Sequence, residues 1–95
     1  MVLERAEFLV KEGMTDALVE VLRTRALPLT ASYTGCLSFK ALRGVEYPDS
    51  IMFLAEWESV EAHEASRLEP AHAEFRALLL PFAAGAKETV HFTEI

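Results

Sequence analysis

Four ring side chains carry most of the chemistry that this 95-residue chain offers: Trp57, His63, His72 and His91. Trp57 is the only tryptophan. It stands between Glu56 and Glu58 at the end of an apolar run and just ahead of Ser59. Alternation puts Ile51, Phe53, Ala55 and Trp57 on one face of a strand, so Trp57 reads as the rim or wall of a pocket. Plain core packing explains the same position equally well. His72 lies on an otherwise apolar stripe, Leu68, His72, Phe75, Leu79 and Phe82, spaced at helical steps. A neutral imidazole there can take a proton from a phenol, because histidine titrates near neutral pH. Its plainer role is a helix-edge contact to a backbone carbonyl. His63, flanked by Glu61 and Glu64, is expected in solvent. His91 is expected to be structural, on the strand face away from Phe92. No two histidines stand three or four apart on one helix, so no metal site is expected. Glu56 is expected to pair with Arg5 or Arg43 across an interface. Cys36 has no neighbouring base and is expected to be inert.

These residues need elements to position them. Leu3 to Val10 alternates loosely, with Ala6, Phe8 and Val10 on one face and Leu3, Arg5, Glu7 and Leu9 on the other. Gly13 supplies a turn, and a helix opens near Thr15, striped by Met14, Leu18, Val21 and Leu22. Pro28 should kink or restart this helix, which ends by Thr34-Gly35. Cys36 to Arg43 is a second strand, with Leu37, Phe39 and Ala41 sharing a face. Gly44 to Pro48 forms a hairpin connection to the central strand. Ser59 caps a helix from Val60 that breaks at Glu69 and resumes at Pro70. Pro81 and Gly85 end it, and Lys87 to Ile95 is the last strand. Strand, helix, strand, strand, helix, strand is a ferredoxin-like α+β order: a four-stranded antiparallel sheet with both helices on one face. Phe8, Phe39, Phe53, Phe75 and Leu79 then line a pocket or fill a core. Small Ala6 and Ala55 leave room beside them.

Composition narrows the function. The length fits a single domain, residues 1–95. A formal charge of −6 and no basic stripe make nucleic acid and anionic membrane poor partners. The longest uncharged apolar-rich run, Ala77 to Ala86, is too short to span a bilayer. A lone cysteine and no charged-then-apolar leader fit a cytoplasmic setting. There is no glycine-rich phosphate loop, no nucleophile elbow and no dinucleotide fingerprint. The hydrophobic fraction, 52%, is high for so short a chain. With helices on one face only, Leu3, Leu9, Met52 and Leu54 would lie bare on the other. A second copy packed sheet to sheet, a homodimer, is the simplest cover.

Gly35-Cys36-Leu37-Ser38-Phe39, Pro48-Asp49-Ser50-Ile51 and Glu56-Trp57-Glu58-Ser59 together resemble the antibiotic biosynthesis monooxygenase family, the quinol monooxygenases most closely. Pro28, seven residues before Gly35, fits as well. The resemblance covers nearly the whole chain. It implies a dimeric α+β barrel with a pocket between sheet and helices in each subunit. It also implies oxidation of an electron-rich phenol or quinol, a small aromatic substrate, by O2 with no cofactor. Departures are specific. Where family members carry a histidine nine residues after this tryptophan, the chain has Ser66; a second family histidine falls at Ala71. The haem-degrading branch uses an asparagine where Ala6 stands. Among family functional residues only Trp57 carries over. A non-catalytic aromatic-ligand binder, or a cofactor-free isomerase or lyase on the same barrel, are the alternative readings.

Overall fold

The computed structural model describes residues Met1–Ile95. Four strands, β1 (Val2–Val10), β2 (Cys36–Arg43), β3 (Ser50–Trp57) and β4 (Ala83–Phe92), form one antiparallel sheet in the order β2-β3-β1-β4. Helical segments α1 (Thr15–Val21), α2 (Leu27–Thr30), α3 (Val60–Ser66) and α4 (Pro70–Leu79) pack against one face of it. This is the ferredoxin-like arrangement expected from the element order. β3 alternates strictly, with Ile51, Phe53, Ala55 and Trp57 buried beneath the helices and their neighbours half-buried on the other face. Leu18, Leu22 and Ala26 come down onto Ile51, Phe53, Val10 and Phe75 to form the main core. Tyr33, Ala55 and Trp57 form a smaller cluster at the other end.

The local signals act as physical chemistry requires. α1 passes into α2 through a π-helical turn, Leu22–Ala26, in which the Leu27 N–H reaches the Leu22 carbonyl. The wider turn relieves the crowding that the Pro28 ring imposes on the turn before it, so the helix continues without a break. The Ser59 side chain accepts from the Ala62 N–H and starts α3. Gly35, at φ +79, reverses the chain between α2 and β2, and its carbonyl accepts from the Glu58 N–H.

Several expectations are corrected. β4 begins at Ala83, so Gly85 lies inside a strand, because pairing of β1 with β4 runs from Leu3↔Phe92 to Val10↔Ala83. An irregularity between Cys36 and Ser38 turns Cys36 onto the Trp57 side of the sheet and leaves Leu37 exposed. Leu68 is 89% exposed in the turn between α3 and α4 and leaves the apolar stripe. Apart from these corrections, within the chain Glu56 accepts from the Ser38 hydroxyl at 2.9 Å and Arg43 pairs with Asp16 at 2.8 Å.

The outer face of the sheet carries Leu3, Leu42, Met52, Leu54, Val90 and Phe92, interspersed with Arg5, Glu7, Lys40 and Glu56. Arg5 lies 5.2 Å over the Phe92 ring. No helix is long and apolar enough to cross a membrane.

Candidate functional site

Between the sheet and the helices lies a cavity of about 370 Å³, within the range of small-molecule sites. Strand parity aims Ala6, Phe8, Phe39, Phe53 and Trp57 into it from below. The α4 stripe supplies His72, Phe75 and Leu79 from above. All seven residues singled out from the sequence, Trp57, His72, Phe8, Phe39, Phe53, Phe75 and Leu79, therefore border one space. Their rings form a connected wall. Phe53 stands 5.4 Å from each of Phe8, Phe39 and Phe75, in tilted or edge-on geometry. Such arrangements favour the positive edge of one ring against the negative face of another.

The structure adds polar residues that hydropathy did not reveal. Glu4 is 5% exposed and lines the cavity beside Trp57. The Trp57 indole N–H donates to Glu4 Oε1 at 2.8 Å. His63, expected in solvent, is 6% exposed. Its ring stacks on Trp57 at 4.8 Å, and its Nε2 lies 3.3 Å from the same Glu4 oxygen. On the other side, His63 Nδ1 is 2.7 Å from Nε2 of the half-buried His91. The Ser66 hydroxyl donates to the His63 carbonyl at 2.6 Å. Thus α3, short and polar, seats His63 over β1 and β4, where the pairing Glu4↔His91 places both partners on the inner face.

Burial decides the charge states. Desolvation raises the Glu4 carboxyl above its ordinary value, although the Trp57 N–H and the nearby His91 and Arg67 favour its anion. Desolvation lowers His63 to about 4, helped by the charges of Arg67, His91 and His72. With His63 neutral, the contact is a hydrogen bond rather than an ion pair. A single ring N–H must lie between His63 and His91, since two lone pairs would repel at this distance. If Glu4 is protonated, it donates to His63 Nε2 and His63 Nδ1–H donates to His91. If Glu4 is ionised, both donations reverse. The three groups thus share protons along one line from the cavity towards the outer edge of the sheet.

His72 is half-buried, its ring 6.5 Å from that of Tyr33. Desolvation lowers its pKa, and Arg67 and Arg76 push in the same direction. It is a neutral imidazole at pH 7, able to accept a proton. Arg67 and Arg76 are exposed residues that border the cavity, and neither is engaged in an ion pair. Tyr33 is the remaining addition. Its ring stacks towards Trp57 at 6.0 Å, and its hydroxyl is buried without a hydrogen-bond partner.

Glu4 and His91 were legible in principle. Glu4 shares the parity of Ala6, Phe8 and Val10, and His91 is placed opposite Phe92. His63 and Tyr33 carried no periodic signal. The fold and its cavity have counterparts. A Bordetella bronchiseptica structure superposes with a TM-score of 0.88 and 26% identity over 99% of this chain and 96% of its own. A Chloroflexus aurantiacus structure gives 0.80 and 26% over 99% and 92%. Both bear the provisional name antibiotic biosynthesis monooxygenase. The uncharacterized protein YczJ of Bacillus subtilis (strain 168) is 28% identical over 96 residues, the whole of both chains. The antibiotic biosynthesis monooxygenase family model matches residues 1–78, which hold the first three strands, α1 to α3 and most of α4. By that match the chain belongs to the antibiotic biosynthesis monooxygenase family.

Proposed function

We propose that this protein is a cofactor-independent monooxygenase that oxidises an electron-rich phenol or quinol with O2. The observation that carries the proposal is an aromatic-walled cavity with titratable groups, Glu4–His63 and His72, set among its rings. Reaction would begin with loss of the phenol proton. The phenolate passes one electron to O2, giving an aryloxyl radical and superoxide, which join through a new C–O bond at a ring carbon. Protonation of the resulting peroxide and loss of the ring hydrogen cleave the O–O bond, release water and leave a quinone carbonyl. The substrate supplies the electrons, so the protein has to hold the ring, limit water and move a proton. Trp57 and the phenylalanines hold the ring. Arg67 and Arg76 favour the phenolate electrostatically.

Two groups suit the proton. His72 is one, as a neutral imidazole on the cavity wall. Glu4 with His63 is the second, favoured by its connection to His91, which gives the proton an onward position. Oxygen uptake with a hydroquinone or polyphenol tests the function, and parallel variants separate the acceptors. Loss of the true acceptor should slow turnover by about 10²-fold or more. His72→Ala and Glu4→Gln should therefore differ widely, and Trp57→Ala should weaken binding. No oxygen uptake with any electron-rich phenol, but retained binding, would leave an aromatic-ligand binder. We further propose a homodimer joined through the outer sheet faces. A cytoplasmic setting is proposed on the strength of one free thiol, Cys36.

A further inference from the structure

We infer that the Tyr33 hydroxyl is a ligand-anchoring, specificity-determining donor, and that the molecule bound here carries an acceptor oxygen, a ring-attached carbonyl, for it. This inference rests on the proposed aromatic-ligand site and specifies its ligand. Tyr33 is 95% removed from solvent, with 5% exposure, on the cavity wall among Trp57, Phe39, His72 and Phe75. Four aromatic rings stand within 6.5 Å of its own, and its hydroxyl makes no hydrogen bond to any residue. It is the one buried side-chain polar atom of the protein left without a hydrogen bond. The other buried polar side chains beside it are satisfied: Trp57 by Glu4, His63 by His91, Ser66 by the His63 carbonyl.

An orphaned buried hydroxyl is unfavourable, and proteins rarely keep one unless a bound molecule completes it. Burial, with Glu69, Cys36 and Glu4 nearby, pushes the phenol up to about 12, so it keeps its proton at neutral pH. A phenol that keeps its proton is a strong donor, and the matching ligand atom is an acceptor. An sp² carbonyl oxygen conjugated to the ligand's ring suits this flat aromatic space better than a second hydroxyl, which would bring a surplus donor. A site built around such a bond discriminates sharply against analogues that lack the acceptor, because they leave the donor unpaired again.

The test is calorimetric binding under nitrogen of two probes that differ only in this oxygen, 6-acetyl-2-naphthol and 6-ethyl-2-naphthol. The wild-type protein should bind the acetyl compound about tenfold or more tightly, the lower part of the range for leaving a buried donor unpaired. Tyr33→Phe should erase that preference and bind the ethyl compound as well as wild type does. Its melting temperature should equal or exceed that of wild type, since the substitution removes an unsatisfied hydroxyl. Equal affinity of wild type for both probes, or a preference that survives in Tyr33→Phe, overturns the inference. Binding of neither probe overturns it together with the aromatic-ligand site. An intact preference with no oxygen uptake from any hydroquinone or polyphenol in air overturns the oxygenase reading alone.

Discussion

Replacing Glu4 by glutamine should make the stability of this protein acid-sensitive, and the structure sets the size of the effect. In the folded protein burial holds His63 neutral, with a pKa of about 4 against an ordinary value of 6.5. A depressed value contributes stability that is present above pH 6.5 and lost as pH falls through about 4. In that window the unfolded chain binds the extra proton. At ~1.4 kcal/mol per pH unit the loss amounts to about 3 kcal/mol. Glu4 works in the opposite direction. Its raised folded pKa contributes stability that is full below its ordinary value of 4.5 and lost as pH rises through the folded value. Where the raised Glu4 carboxyl still holds its proton in the folded state and His63 is neutral, the folded pair holds one proton. The unfolded pair also holds one, on His63. Over that part of the range the two slopes oppose each other, so the wild-type pair responds to pH less than His63 alone would. Glu4→Gln removes one side of that balance and keeps an oxygen for the Trp57 N–H to reach. Urea unfolding at fixed protein concentration, at steps from pH 6.5 to pH 4, measures both curves. The variant should lose up to about 3 kcal/mol more than wild type across the range. Parallel curves would refute the argument, because they would show that Glu4 does not hold the proton denied to His63.

Two further predictions follow from the fold and its surface. Leu54→Asp, at the centre of the outer sheet face between Arg5 and Lys40, should turn a stable dimer into a folded monomer. Sedimentation checks it, and a wild-type protein already monomeric at micromolar concentration would remove the dimer itself. Gly35→Ala should destabilise by about 1–3 kcal/mol, since alanine disfavours the left-handed backbone. Its Cβ would also meet the Ala62 Cβ at 2.8 Å. A thermal melt unchanged by the substitution would show that the reversal before β2 is not constrained as the structure has it.

Periodicity alone determined which faces of the elements meet. Strand residues alternate sides, so Phe8, Phe39, Phe53 and Trp57 could only share the inner face. His72, Phe75 and Leu79, at helical steps, had nowhere to bury except over them. Pro28, Gly35 and Ser59 marked turns and caps because each has a local conformational or hydrogen-bonding consequence that depends on few neighbours. Tertiary structure decided the polar site. Glu4, Trp57, His63 and His91 come from three strands and a helix, and the first three can be buried because the set satisfies its own polar atoms. No hydropathy pattern records such a set: the charged neighbours of His63 marked it for solvent, and its burial depends on what β1 and β4 place beneath α3. The start of β4 has the same origin. Gly85 and Pro81 disfavour a strand locally, yet hydrogen bonding to β1 holds the chain extended from Ala83 onward. Local preferences of a few tenths to ~1 kcal/mol per residue yield when a neighbouring strand offers a partner for every backbone group.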